Sequence, residues 1–356
     1  MHQPKRVVVF LPNWVGDAVM ATPALRALRE QFRGSHIAYL GRPAAVETLD
    51  GLPLADGVIT IPPASGVWRL AGRLRKGDFD LAVLLPNSFR SALVARLGAV
   101  KRLAGFARDG RGWLLSVKLN PPRDDAGRLA PISAVDYYIA LARRLGAQCT
   151  SRRMTLAVTE PFARRAGELL EAAGLSDGRC LVMLNPGASY GVSKVWKPAR
   201  FAALADQLIE RRGVGVIINA APAERAVART VASAMRQKAG LNLADCDNSI
   251  ALVKAIVARC SLMVTNDTGA RHIAAALGLA VVTLFGSTDP RWSAIDYELE
   301  RIIRVDVPCS PCQRKMCNQP PGPAYHQCME AITVEMVLPA AEELLDLEAA
   351  RSEVRA

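Results

Sequence analysis

The chain has few aromatic residues and no long apolar run, and each shortage excludes a class of protein. Aromatic residues occupy 5% of the 356 positions, whereas 51% are hydrophobic and 22% are charged, a globular rather than a disordered composition. The longest uncharged apolar stretch, residues 273–286, is shorter than the ~20 residues of a membrane-spanning helix. No secretory signal is visible, because Pro12 and Asn13 end the first apolar run. We therefore expect a soluble cytoplasmic protein, and we leave open peripheral contact with a membrane surface.

Acidic residues are in short supply relative to basic ones. The chain has 45 Lys and Arg against 33 Asp and Glu, which gives a formal net charge of +12. Such an excess favours an acidic partner, which could be nucleic acid, an anionic membrane surface or a phosphorylated substrate. No RNA- or DNA-binding motif accompanies the charge, so nucleic acid ranks lowest.

Cysteine is too sparse for a disulfide scaffold in a chain of this length. Four of the eight cysteines fall within twenty residues: Cys309, Cys312, Cys317 and Cys328. In a reducing compartment these thiols would be available, and four thiolates suit a structural zinc or iron ion. The alternative is a loop whose thiols are buried, reactive or transiently oxidised.

Apolar runs alternate with helical patterns, and the series occurs twice. Continuous rather than alternating apolar character is typical of strands covered on both faces, as in parallel sheets. The alternation predicts an α/β protein with two Rossmann-like, doubly wound domains that face a central cleft. We place the N-terminal domain at 1–160, a linker region at 161–177 and the C-terminal domain, ending in a helix, at 178–356. The strand candidates are 6–11, 36–41, 57–62, 80–86, 102–106, 180–187, 213–220, 261–267 and 280–286.

Ligands of such folds bind beyond the carboxyl ends of the strands, so the turns there should carry the function. Asp17 follows the first strand at the start of a helix. It could cap that helix or act as a general base facing the cleft. Basic residues follow the fourth and fifth strands, and they could bind an acidic acceptor or form a solvated face: Arg90, Arg102, Arg108 and Arg111.

The turns of the second half are rich in hydrogen-bond donors. Ser189 and Lys194 lie in a glycine-containing turn before a helix, a suitable place for phosphate. This turn is not a Walker A loop, and no strand is followed by the Gly-x-Gly-x-x-Gly fingerprint. Glu224 opens the next helix, where it could serve as a cap or accept a hydrogen bond from a ribose hydroxyl.

The most polar strand end in this half is "VTNDTGARH". Asp267 precedes the helix, and the backbone N–H groups of Thr268 and Gly269, beside the Thr268 hydroxyl, could hold a diphosphate at its N-terminus. His272 lies one turn further on. A lone helical histidine is usually structural, but at this position we favour contact with the ligand.

Four segments resemble the ADP-heptose:lipopolysaccharide heptosyltransferases, and within them the heptosyltransferase II branch. They are "LPNWVGDAVMATPALRAL", "NPGASYGVSKVWKPARFAALA", "VTNDTGARHIAAALGLAVVTLFGSTDP" and "CSPCQRKMCNQPPGPAYHQCMEAI". The likeness runs from about residue 6 to 338 in the same order. It implies a GT-B fold and transfer of L-glycero-D-manno-heptose from ADP-heptose to the inner core of lipopolysaccharide. It also implies inversion at the sugar and no cofactor or metal for catalysis.

The resemblance also implies roles for individual residues. Asp17 matches the general base, Ser189 and Lys194 match residues on the diphosphate side, and Glu224 matches a nucleoside contact. The donor-binding turn is matched by Asp267, Thr268, Gly269 and His272. The Pro-rich stretch before Cys328 departs from the family pattern at His326. Two alternatives stay open: a nucleotide-sugar-binding or regulatory protein on this scaffold, and a related glycosyltransferase with another donor or acceptor.

Overall fold

The computed structural model describes residues 3–176 and 178–355, which divide into two compact units. The first unit contains the described residues up to Ala157 together with Arg291–Ile295. The second contains the described residues of Val158–Pro290 and those from Asp296 onwards. The chain therefore first passes from the first unit to the second between residues 157 and 158, and it returns briefly to the first at Arg291–Ile295.

The first unit is built on a parallel six-stranded sheet in the order β3-β2-β1-β4-β5-β6. Its strands are β1 (Arg6–Phe10), β2 (His36–Gly41), β3 (Gly57–Thr60), β4 (Leu81–Leu84), β5 (Arg102–Phe106) and β6 (Val117–Leu119). Its helices are α1 (Val15–Met20), α2 (Thr22–Gln31), α3 (Pro43–Leu49), α4 (Val67–Gly77), α5 (Phe89–Leu97) and α6 (Ala134–Arg144).

The second unit has a parallel six-stranded sheet in the order β12-β11-β10-β7-β8-β9. Its strands are β7 (Leu181–Asn185), β8 (Gly215–Ile218), β9 (Leu241–Asn242), β10 (Leu262–Asn266), β11 (Ala280–Phe285) and β12 (Glu300–Arg304). Its helices are α7 (Glu160–Ala172), α8 (Pro198–Arg212), α9 (Arg225–Ala234), α10 (Ile250–Val257), α11 (Gly269–Ala276), α12 (Gln327–Glu330) and α13 (Val334–Arg355).

The two sheets have the same topology. Read from its other edge, the second sheet runs β9-β8-β7-β10-β11-β12, which repeats the order of the first. This is the doubly wound arrangement, in which the direction of winding reverses between the first and fourth strands and leaves a crevice at their carboxyl ends. The prediction of two doubly wound α/β domains is confirmed. In each unit the turns after the first and fourth strands are the expected ligand-binding positions.

Burial explains which strands could be predicted. In β1 the central residues Val7, Val8 and Val9 are at most 1% exposed, so the strand reads as one continuous apolar run. The strands β6, β9 and β12 were not among the sequence candidates, because they form or adjoin the sheet edges and their residues are only partly buried. Within the described residues, no helix has the length and apolar character needed to cross a bilayer.

Candidate active site

The switch point of the second sheet holds a buried ion pair. Lys194 lies in the loop after β7, and its Nζ is 2.5 Å from Oδ2 of Asp267 and 3.0 Å from the carbonyl oxygen of the same residue. The side chains are 11% and 9% exposed. The Lys194 ammonium also lies 4.7 Å from the centre of the Tyr190 ring. These two hydrogen bonds use two of the three N–H donors of the ammonium, which leaves one for a ligand.

Asp267 is held ionised by its neighbours. Burial by itself would raise the pKa of this carboxyl group, but the charges of Lys194 and Arg271 and hydrogen bonds from Lys194 and Thr288 bring it below its ordinary value. The hydroxyl of Thr288 donates to Oδ2 at 2.8 Å. Arg271 is fully buried and pairs with both carboxylate oxygens of Glu300, at 2.5 and 2.8 Å. Two cations and two carboxylates thus form a network without net charge.

The N-terminus of α11 carries no side-chain cap. Thr268 is the N-cap residue, but its hydroxyl makes no capping hydrogen bond. It instead accepts a hydrogen bond from the Asn185 amide at 3.1 Å and lies 3.3 Å from the Thr265 hydroxyl. The first N–H groups of a helix have no partner within the helix and attract anions. The turn predicted from "NDTGARH" therefore presents backbone donors from Gly269 onwards beside the buried Lys194.

His272 lies in the interior rather than at the surface of this turn. Its side chain is 3% exposed, and burial, followed by the positive charge of Arg271, lowers its pKa to about 3. Its Nδ1 is buried without a hydrogen-bond partner among the described residues. The ring is therefore neutral at physiological pH, and its position is that of a packed core residue, which was the alternative to the ligand contact that we favoured.

Ser189 and Glu224 form a second part of the site. The hydroxyl of Ser189 donates to Oε1 of Glu224 at 3.1 Å. Glu224 approaches the loop so closely that a Cβ at Gly187 would lie 2.1 Å from its Oε2, so a side chain at position 187 would displace the Glu224 carboxylate. A cavity of about 530 Å³ adjoins the pair, and its lining includes Tyr325 and His326.

The cysteine-rich segment, residues 309–328, is hydrogen-bonded to the loop after β7 that carries Lys194. The Tyr190 hydroxyl donates to the carbonyl oxygen of Gln313 at 2.8 Å, and the Ser193 N–H donates to that of Lys315 at 3.2 Å. His326 Nε2 lies 2.9 Å from the Ser193 carbonyl oxygen. Sequence analysis gave His326 no role, and in the structure it links the cysteine-rich segment to the loop after β7 through Ser193.

The four clustered thiols are neighbours. Burial, followed by the charges of Cys309, Cys312 and Cys317, raises the pKa of Cys328 to about 11. Among the described residues, however, no group of three or more His, Cys, Asp or Glu side chains is arranged as a metal-ligand set. The thiols of Cys309, Cys312 and Cys317 thus lie near that of Cys328.

Asp17 lies in the first unit at the corresponding switch point. It is half-buried in the first turn of α1, but the capping position belongs to Trp14. Burial, followed by the charge of Asp17, raises the pKa of the fully buried Tyr138. The carboxylate is thus close to an apolar interior, and Asp17 lies in the first turn of α1 rather than at the N-cap position.

The four candidate arginines do not form one exposed set. Arg90 is exposed and donates to the Ser65 carbonyl oxygen, and Arg108 is half-buried beside Tyr137. Both follow the carboxyl ends of their strands. Arg102 is the first residue of β5 and so lies at the amino ends of the strands, opposite to the carboxyl ends where ligands bind.

Arg111 is fully buried and serves the interior of the first unit. Its guanidinium donates to the Phe106 carbonyl oxygen and the Ser91 hydroxyl, both at 2.9 Å, and to the Pro86 carbonyl oxygen. Burial lowers its pKa to about 10. A guanidinium with these partners fixes the turn after β4. We therefore withdraw Arg102 and Arg111 from the acceptor-binding set, because one is at the wrong edge and the other is inaccessible.

Several residues of the site were missed by sequence analysis. In the first unit, a cavity of about 470 Å³ beyond β1, β2 and β4 is lined by Arg42 as well as Arg90. In the second, Asn266 accepts from the Trp196 N–H and donates to the carbonyl oxygens of Pro186 and Gly187. The position of Arg42, directly after β2, was the available signal.

Comparison with known proteins agrees with this arrangement. The model of glycosyltransferase family 9 (heptosyltransferase) matches residues 67–321. The lipopolysaccharide heptosyltransferase 2 of Escherichia coli is 28% identical over 353 residues, covering 96% of this chain and 98% of that protein. The structure of E. coli ADP-heptose LPS heptosyltransferase II superposes with a TM-score of 0.79 at 26% identity, covering 97% and 99% of the two chains.

A family 9 glycosyltransferase from Veillonella parvula shares the fold, with a TM-score of 0.81 at 22% identity over 97% of this chain and 98% of its own. The family match spans well over half of the sequence and includes both the Lys194 loop and the α11 turn. The chain therefore belongs to glycosyltransferase family 9, the heptosyltransferases.

Proposed function

We propose that the protein transfers heptose from ADP-heptose to the inner core of lipopolysaccharide, with inversion at the anomeric carbon. The observation that carries the proposal is the uncapped N-terminus of α11 beside buried Lys194, in a chain of the heptosyltransferase family. The names of the relatives supply the donor and the acceptor.

The donor would bind in the second unit. The diphosphate accepts hydrogen bonds from the first N–H groups of α11 and from the remaining N–H of Lys194. Glu224 accepts from a ribose hydroxyl, and the adjoining cavity holds the nucleoside. When the bond between the sugar and the diphosphate breaks, the same donors stabilise the negative charge of departing ADP.

Asp17 is the proposed general base. The acceptor hydroxyl attacks the anomeric carbon from the face opposite ADP, the C–O bond to ADP breaks, and the hydroxyl proton passes to the Asp17 carboxylate. The position of Asp17, inside the first helical turn beyond β1, supports this role over that of a cap. Arg90 and Arg42 line the cavity of the same unit and are proposed to bind acidic groups of the acceptor. Arg108, two residues after the end of β5, is proposed to assist them.

Purified protein incubated with ADP-heptose and truncated lipopolysaccharide acceptors, with products identified by mass spectrometry, tests the proposal. Asp17→Asn should lower the transfer rate by ~10²–10⁴-fold while the dissociation constant of ADP stays unchanged. Asp109→Asn, an exposed carboxylate of the same unit, is the control. ADP binding without transfer by the wild type would favour the binding-protein alternative, and transfer from another nucleotide sugar would favour a related enzyme.

We also propose that Cys309, Cys312, Cys317 and Cys328 hold one structural zinc or iron ion. The influence of three thiols on the pKa of Cys328 supports their proximity, and four thiolates suit either metal. Elemental analysis of protein prepared without a His-tag should find about one equivalent, and a Cys309→Ser/Cys312→Ser variant should lose it and melt at a lower temperature. Cys149→Ser/Cys246→Ser is the control. Metal-free protein after reducing purification in metal-supplemented medium would refute the site.

A further inference from the structure

Three large aromatic side chains are exposed near one edge of the first unit. Trp68 is 76% exposed, Trp113 is 74% exposed and Phe89 is 39% exposed. Each follows the carboxyl end of a strand, at the start of α4, in the turn after β5 and at the start of α5. A single exposed aromatic residue is ordinary, but a group of them marks an interaction surface.

The three aromatic residues lie on adjoining elements. The rings of Phe89 and Trp113 have their centres 6.4 Å apart. Arg90, next to Phe89, donates to the carbonyl oxygen of Ser65, three residues before Trp68. The loop that leads to Trp68 is itself exposed and apolar at Pro62, Pro63 and Ala64. We call this surface the aromatic face, and it consists of Pro62, Pro63, Ala64, Trp68, Phe89 and Trp113.

Positive charge borders the aromatic face. Helix α4, which begins beside Trp68, carries four exposed basic residues, and residues 62–77 contain no Asp or Glu. The four are Arg69, Arg73, Arg75 and Lys76. An apolar strip rich in Trp and flanked by unopposed Lys and Arg matches the boundary of an anionic bilayer, where aromatic rings lie at headgroup depth and cations contact lipid phosphates.

We propose that the aromatic face docks on an anionic membrane surface, with Trp68 and Trp113 among the headgroups and the α4 cations on lipid phosphates. The inference rests on the proposed function only in that an acceptor carried by a lipid would be presented at such a surface. Charge complementarity favours this partner: a neutral surface would not use the α4 cations, and an uncharged glycan would need the aromatic residues alone.

Sedimentation of the full chain with lipid vesicles tests the proposal. The protein should bind mixed phosphatidylcholine–phosphatidylglycerol vesicles and not pure phosphatidylcholine, and binding should weaken as salt is raised. Arg69→Gln/Lys76→Gln should lower the partition coefficient by roughly 25-fold, since each basic residue near such a surface contributes about fivefold. Trp68→Ser/Trp113→Ser should lower it by at least about tenfold. Arg164→Gln/Lys238→Gln, the same charge change at exposed sites of the second unit, should leave it unchanged.

Two further readouts separate the outcomes. ADP affinity and the urea-unfolding midpoint followed by circular dichroism should match the wild type in all variants, because the first unit carries the substitutions and the second unit carries the proposed ADP site. With a delipidated, water-soluble acceptor, the Trp variant should keep the wild-type KM. A raised KM for the acceptor with unchanged vesicle binding would identify the aromatic face as a sugar-binding surface and overturn the proposal. Wild-type protein that does not bind anionic vesicles would also overturn it. Vesicle binding by a protein that transfers no heptose would refute the proposed function and leave the docking surface standing.

Discussion

Replacing Lys194 should destabilise the protein by an amount that its burial sets. The charged atoms of Lys194 and Asp267 lie 2.5 Å apart in side chains about one-tenth exposed. Lys194→Met keeps the aliphatic stem but leaves Asp267 with Arg271, at 3.9 Å, and the Thr288 hydroxyl. Removing one partner of a buried pair costs about 3–5 kcal/mol. Because Arg271 remains, we expect the free energy of unfolding to fall by roughly 2–4 kcal/mol.

Urea unfolding followed by circular dichroism measures this loss, and the same loop supplies the control. Lys197 pairs with Glu330 at 2.6 Å, but its side chain is 57% exposed. Exposed pairs contribute about 1 kcal/mol or less, so Lys197→Met should be nearly neutral. The double variant Lys194→Met/Asp267→Asn should recover part of the loss, since neither buried charge remains. Calorimetry should show ADP affinity reduced by roughly 10- to 100-fold in Lys194→Met, the value of one charged hydrogen bond.

The free energy lost in Lys194→Met should depend on pH in a direction that simple misfolding would not produce. The folded state lowers the pKa of Asp267, so the stabilisation from its ionised form is present above the ordinary pKa of an Asp and is lost as pH falls through the folded value. In Lys194→Met the cost should shrink towards about pH 4, because protonation removes the uncompensated charge. If Lys194→Met costs no more than Lys197→Met, or costs the same at both pH values, the ion pair does not stabilise the site.

Two other variants test neighbouring features. Gly187→Ala places a Cβ 2.1 Å from Oε2 of Glu224 and should weaken ADP-heptose binding by roughly tenfold in calorimetry, whereas Gly167→Ala, with open space around it, should not. For His272, the folded pKa of about 3 lies below the ordinary 6.5, so its contribution to stability is present above pH 6.5 and is lost as pH falls towards 3, by up to about 1.4 kcal/mol per pH unit. His272→Gln should remove this slope in urea unfolding and His36→Gln should retain it; equal slopes for wild type and His272→Gln would contradict the burial argument.

The turns at the switch points could be predicted because their signals are local. Gly269 follows the apolar β10 within three residues, and the amphipathic α11 begins there. One short segment of sequence therefore predicts the strand, the turn and the helix. Lys194 lies in the turn between β7 and α8, which both have local sequence signals. A doubly wound order then places these turns at one edge of the sheet without further information.

Accessibility and distant partners could not be predicted in the same way. Arg111 looks like one more exposed cation, but its hydrogen bonds go to Pro86 and Phe106, and only the folded turns bring those carbonyl groups around it. Arg271 pairs with Glu300, 29 positions away on a strand that has no continuous apolar run. Side-chain type gives charge, but burial decides whether that charge meets solvent or a partner.

The neutrality of the buried network determines where attraction for the donor must come from. The charges of Lys194 and Arg271 are matched by Asp267 and Glu300, so the four side chains together offer a diphosphate little net field. Their arrangement instead fixes the turn that leads into α11, whose N-cap residue Thr268 makes no side-chain capping hydrogen bond. Since the backbone N–H donors of α11 cannot titrate, and since Asp267 is already ionised, the anion site keeps the same charge across the neutral pH range. In the proposed donor site the buried side chains would therefore act mainly by positioning the turn, and the backbone of α11 would provide most of the attraction for the anion.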